Sequence, residues 1–240
     1  MPVSNAKTST SDNSPKLQHL GLILDGNRRW ARSKNMPTLQ GHKKGYENLK
    51  TIVKEAINRD IPYISAYIFS TENWKRSQEE VSYLMDLALW IAKNEVKELN
   101  KEDIRVRFLG CNDNLSDKLI KAINDAEELT KNNTRGTVAL CFNYGGHNEI
   151  TNTVKSLIEK DIKPEEVTDD LIASNLYADD VPPVDLIVRT SGEQRISGFM
   201  LWRAAYAEFL FIEKNWPDFN VEDLEEVIDS YNNRERRFGG

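Results

Sequence analysis

Short apolar runs alternate with longer amphipathic segments along almost the whole chain, and this alternation narrows the choice of fold more than any other feature. The runs at 20–24, 63–69, 104–109, 137–142, 184–188 and 209–212 read as six strands. Between them, 42–58 has helical spacing through Tyr46, Leu49, Val53, Ala56 and Ile57. Segments 116–131, 148–160 and 221–234 read as further helices. Ser77 and Glu80 form a capping-box pattern that opens a helix running to about residue 100. Strands separated by helices of this length need crossover connections, and hence a mostly parallel sheet. The expected fold is α/β: a single domain over 19–240, its central, mostly parallel six-stranded sheet flanked by helices. A chain of 240 residues is long enough for one large core and short for two. Residues 1–18 are rich in Ser, Thr, Asn and Lys, lack the apolar centre of a secretory signal, and read as a flexible tail.

Composition excludes several roles. The net charge of −6 gives no general attraction to nucleic acid, so any anion-binding charge must be local. No segment approaches the roughly 18 consecutive apolar residues of a spanning helix. Cys111, after one strand, and Cys141, inside another, suit a reduced cytoplasmic protein better than a disulfide scaffold. A soluble protein with at most peripheral membrane contact is expected.

Ligands of open parallel sheets bind at the carboxyl ends of the strands. Four strands end in pointed segments: Asp25-Gly26-Asn27-Arg28-Arg29-Trp30, Ser70-Thr71-Glu72-Asn73-Trp74-Lys75-Arg76, Asn143-Tyr144-Gly145-Gly146, and the stretch from Arg189 to Ser197. In a parallel sheet all four share one rim. Gly26 allows close approach of a ligand, and Arg28, Arg29 and Arg32 bring positive charge suited to phosphate. Asp25 fits there if a cation such as Mg²⁺ joins it to the phosphate; alone, it would be a helix cap. Asn73 can cap or turn, Trp74 can be a core lid, and Glu80 is assigned to the capping box. Arg189, Arg195 and Ser197 form a donor set for a second phosphate group. From Tyr83 to Ala92 only Asp86 is charged. That helix therefore has an apolar face beyond the one its sheet requires, for more core, a partner subunit or a hydrocarbon ligand.

These motifs, with Gly41-His42, Trp202, Ala205-Tyr206-Ala207-Glu208 and the long run Arg189-Thr190-Ser191-Gly192-Glu193-Gln194-Arg195-Ile196-Ser197, resemble the cis-prenyltransferases over about 19–240. The resemblance implies a homodimer with a hydrophobic tunnel, condensing isopentenyl diphosphate with geranyl, farnesyl or geranylgeranyl diphosphate. The product would be a Z-polyprenyl diphosphate of undecaprenyl length or shorter. It also implies Mg²⁺ held by Asp25 and Glu208, and Asp25 with Asn73 as the catalytic pair. Gly26, Asn27, Arg28 and Arg29 would surround the allylic diphosphate. Trp30, His42, Ser70, Thr71, Glu72, Trp74 and Arg76 would complete that site, with His42 and Asn73 near the departing proton. Arg189, Arg195, Ile196 and Ser197 would bind isopentenyl diphosphate, and Arg237-Phe238-Gly239 would reach the partner's site. Arg28 and Thr38 depart from many bacterial members, which have Gly and Arg there, and bulky Ile68 and Phe142 could shorten the product. Two other classes compete. A non-catalytic partner subunit of the Nogo-B receptor type would lack Asp25 and much of the phosphate site; a phosphate-ester hydrolase would want a P-loop or a second Asp two positions from Asp25.

Overall fold

The computed structural model describes residues 16–234. The order is β1 (His19–Ile23), α1 (Asn27–Ser33), α2 (Thr38–Asn58), β2 (Tyr63–Ser70), α3 (Gln78–Trp90), α4 (Val96–Lys101), β3 (Ile104–Leu109), α5 (Asp117–Thr130), β4 (Gly136–Tyr144), α6 (Gly146–Glu159), α7 (Asp169–Ala173), β5 (Leu186–Arg189), β6 (Glu208–Phe211) and α8 (Val221–Asn232). The six strands form one sheet in the order β3-β4-β2-β1-β5-β6. Every ladder is parallel, which goes further than the mostly parallel sheet expected. All six expected strands are present within a few residues of their expected ends.

Alternation along the strands feeds two cores. Leu20, Leu22, Ile64, Ala66, Val138 and Val188 pack with Leu49, Ile52, Val53 and Val227 from α2 and α8. Their neighbours Ala139, Cys141 and Ile187 pack on the other face with Phe199, Met200 and Val184. The tail ends earlier than residue 18: Leu17 is buried in the main core, and the Gln18 N–H donates to Asp185 Oδ2 at 2.9 Å. Residues 1–15 and the expected Arg237-Phe238-Gly239 element lie outside the described residues.

The helix opened by Ser77 is not uniform. It ends as α3 at Trp90, passes through a π-helical turn at Ile91–Glu95, and resumes as α4. Such a turn holds one extra residue per turn and commonly marks a functional segment. Among the described residues no helix is long and apolar enough to cross a membrane.

His19 is fully buried where β1 begins. Its Nε2 is 2.7 Å from Ser65 Oγ and its Nδ1 2.9 Å from the Pro182 carbonyl. Burial lowers its pKa from the ordinary 6.5 to about 4, against the opposing pull of the Pro182 and Pro183 carbonyls and Asp185. The unfolded chain therefore takes up a proton below 6.5 that the folded chain refuses until about 4. Folding stability should be full above that window and fall through it on acidification, on the order of 1 kcal/mol per pH unit. Urea unfolding from pH 7 to 4 measures this, and His19→Gln should flatten the slope.

Candidate active site

Because β1, β2, β4 and β5 run parallel, their following loops meet on one rim, at the mouth of a cavity of about 920 Å³. Ile23 pairs with Arg189 across β1 and β5, so Asp25, two residues on, comes level with the end of β5. Arg189, only 5% exposed, holds the rim together. Its Nη2 donates to Asp25 Oδ2 at 2.9 Å, and its Nη1 donates to Ser197 Oγ at 2.9 Å and to the Arg195 carbonyl. Asp25 Oδ1 accepts the Gly26 N–H at 2.7 Å and lies 3.2 Å from Arg29 Nη2. Burial works to raise the Asp25 pKa, but Arg189, Arg29 and the Gly26 N–H outweigh it and hold the carboxyl below its usual range. Asp25 is ionised at neutral pH.

The turn into α1 depends on glycine. Gly26 has φ +104°, and a Cβ there would stand 2.4 Å from Asn215 Oδ1. On α2, a Cβ at Gly41 would lie 2.1 Å from the Asn27 carbonyl, and one at Gly45 would lie 2.2 Å from Asn27 Oδ1. α1 therefore rests directly on the backbone of α2, which puts Arg28 and His42 on the same wall.

Behind that wall lies a cluster the sequence did not announce. His42 Nε2 is 2.9 Å from Glu80 Oε1, Arg76 Nη1 donates to the same oxygen at 3.0 Å, and Arg28 Nε stands 3.9 Å from Glu80 Oε2. Ser77 does cap α3, its Oγ accepting the Glu80 N–H at 3.4 Å. The Glu80 carboxylate, however, turns inward instead of closing the capping box. Burial alone would raise its pKa, but His42, Arg76 and Arg28 lower it overall. For His42 burial dominates over Glu80 and lowers the pKa, leaving the ring neutral near pH 7.

Below the mouth the cavity is apolar. Leu84, Leu87, Ala88 and Ile91 line it from one stripe of α3 and its π turn. Tyr46 and Leu49 face them from α2, and Ile68, Phe108, Leu140 and Phe142 form the sheet side. The surplus apolar face of α3 thus meets a cavity.

Most of the expected site residues gather here. From the first loop Gly26, Asn27, Arg28 and Arg29 line the cavity with Asp25. His42, Ser70, Glu72, Asn73 and Arg76 follow from α2 and the second loop, and Arg189 and Ser197 from the fifth strand's loop. Asn73 also caps its 3₁₀ turn, Oδ1 accepting the Ser70 N–H at 3.1 Å.

Others do not line the cavity. Trp30 is buried and donates through Nε1 to Asp218 at 2.7 Å. Trp74 donates to Asn143 Oδ1 at 2.7 Å and packs edge-on against Phe69. Thr71 faces Gly145, and Ile196 packs into the second core. The exposed Arg195 side chain pairs with Glu193, so only its carbonyl touches the site. Glu208 lies apart from this rim in the single chain. It opens β6 opposite Leu186, at the amino end of the sheet, and pairs with Arg234. A strand of this length separates it from the Asp25 rim by roughly 10 Å. Sequence reasoning missed Glu80, Tyr67 and His147. The last lines the cavity one residue beyond the Gly145-Gly146 motif, which was the available signal.

An ionised carboxylate among arginines, set over an apolar cavity, defines a protein built for diphosphates with hydrocarbon tails. Comparison with known proteins narrows the class. A family model described as "Putative undecaprenyl diphosphate synthase" matches residues 23–239. The chain is 45% identical over 234 residues to an isoprenyl transferase of Clostridium perfringens, covering 95% of this chain and 91% of that one. It is 44% identical over 226 residues to a (2E,6E)-farnesyl-diphosphate-specific ditrans,polycis-undecaprenyl-diphosphate synthase of Vibrio vulnificus, covering 92% and 90%. The crystal structure of lavandulyl diphosphate synthase from Lavandula x intermedia, in complex with dimethylallyl diphosphate, superposes with a TM-score of 0.89 at 31% identity, covering 94% of this chain and 99% of that one. This chain belongs to the undecaprenyl diphosphate synthase family and is a prenyltransferase.

Gly41→Ala should force α1 off α2 and cost about 1–3 kcal/mol of stability. A lowered urea midpoint checks this; an unchanged one would mean that α1 is not seated on α2.

Proposed function

We propose that the chain condenses isopentenyl diphosphate with an allylic starter (geranyl, farnesyl or geranylgeranyl diphosphate) and leaves each new double bond cis, with Mg²⁺ at Asp25. The observation that carries this reading is the Asp25–Arg189–Arg29 constellation directly above an apolar cavity. Among the described residues Arg189 Nε is buried there with no hydrogen-bond partner, a donor left for ligand.

Among the described residues no three His, Cys, Asp or Glu side chains cluster as a metal cage. A lone ionised carboxylate fits Mg²⁺ all the same, because that ion is commonly bound by one or two carboxylates plus substrate phosphates. When bound, it neutralises charge on the departing diphosphate. Arg28, Arg29 and Arg76 hold the allylic diphosphate, and their donors stabilise the charge it gains as its C–O bond breaks. Arg189 and Ser197 hold isopentenyl diphosphate, whose double bond attacks the allylic carbon. Asn73 positions that substrate, and neutral His42 is the base at the mouth able to take the proton. The apolar walls exclude water from the allylic cation. Asp25→Ala should cut incorporation of labelled isopentenyl diphosphate by on the order of 100-fold or more while cooperative unfolding persists. Near-normal turnover would refute the role.

The product is a Z-polyprenyl diphosphate of undecaprenyl length or shorter. Phe142 lines the sheet side of the cavity, its ring centroid 5.5 Å from that of Phe69. Phe142→Ala should therefore lengthen the product by at least one isoprene unit, read by sizing products from each starter in turn.

The working unit is a homodimer in the cytoplasm. Among the described residues edge strand β6 pairs on one side only, and Phe209 on it and Tyr206 just before it are exposed aromatics that a second copy would cover. The free thiols of Cys111 and Cys141 suit a reducing compartment.

A further inference from the structure

Glu80 takes no part in the condensation as assigned, yet it is 6% exposed and surrounded by three cavity-lining groups. A carboxylate in that position is costly unless paired and hydrogen-bonded. The cap of α3 does not require it, since Ser77 supplies the cap and the Glu80 carboxylate faces away from it. It stands one layer behind the cavity wall and joins three separate segments: Arg28 from α1, His42 from α2, and Arg76 from the loop before α3.

We infer that Glu80 is a positioning residue for the allylic-diphosphate half of the site, fixing the Arg76 guanidinium and the His42 ring through one shared oxygen. The inference rests on the proposed prenyl transfer. Two guanidinium groups in one wall repel each other, and a carboxylate between them removes much of that cost. An ionised carboxylate can only accept, so His42 carries its proton on Nε2 and keeps the lone pair on Nδ1. Because Oε1 serves both His42 and Arg76, displacing either disturbs the other. Arg189 and Ser197 have no bond to Glu80, so the binding of isopentenyl diphosphate should be insensitive to it, whereas the loss of its proton to His42 should not.

Steady-state kinetics of Glu80→Gln test this. The amide keeps the shape and loses the charge. KM for the allylic diphosphate should rise about tenfold and kcat should fall, as for other supporting residues behind a site, while KM for isopentenyl diphosphate stays put. Arg76→Ala added to Glu80→Gln should cost little more than either alone. A purely structural Glu80 would lower the melting temperature and the active fraction while leaving both KM values unchanged; that result, equal rises in both KM values, or additive losses would overturn the inference. If Glu80→Gln does not fold, the His42→Ala and Arg76→Ala cycle carries the test, and additivity there overturns it. A wild-type chain that incorporates no isopentenyl diphosphate would sink the proposed function itself, whereas an active wild type with an indifferent Glu80 variant sinks this inference alone.

Discussion

The bond between Arg189 and Asp25 is the contact on which the remaining chemistry depends. Arg189 is nearly buried, and an unpaired guanidinium there would cost several kcal/mol. Asp25, Ser197 and the Arg195 carbonyl share that cation; Ser197 and Arg195 belong to the loop that Arg189 itself opens, whereas Asp25 reaches it only because β1 and β5 are adjacent and parallel. In return, the arginine keeps the aspartate ionised against the effect of its own burial. Sheet order and the charge state of the site are thus linked through a single side chain.

Charge and grease are separated along one axis. Positive groups occupy the mouth, and the wall below is mostly apolar, from α2, α3 and the sheet. Such a gradient orients an amphiphile unambiguously, head at the rim and tail inward, with no need for a dedicated contact to the tail. It also explains how a chain of net charge −6 can bind diphosphates, since local field and overall charge are independent.

The sheet was legible because buried parallel strands are short continuous apolar runs, and the connecting helices betray parallelism by their length. The rim followed from that geometry, and Asp25, Arg29, Arg76 and Arg189 were found by it. Glu80 was not legible. A capping-box pattern fixes where a backbone starts to coil, and Ser77 does start it, but side-chain direction is set by partners from distant segments, the Arg28 guanidinium and the His42 ring. The indoles of Trp30 and Trp74 sit in motifs that face the site, yet point to Asp218 and Asn143, partners no local pattern reveals. Glu208 was attached by family likeness without a strand end to support it, and the register of β6 puts it at the far edge.

The π turn at Ile91–Glu95 has a mechanical consequence. The rod on either side serves two masters: α3 shows Leu84, Leu87 and Ala88 to the cavity, while Val96 in α4 sits in the main core. One added residue advances the helix by about 100°, so the turn works as an angular offset between two faces that regular coiling could not both satisfy. Deleting a single residue there would leave the helix intact as a helix and rotate either the lining or the anchor out of place.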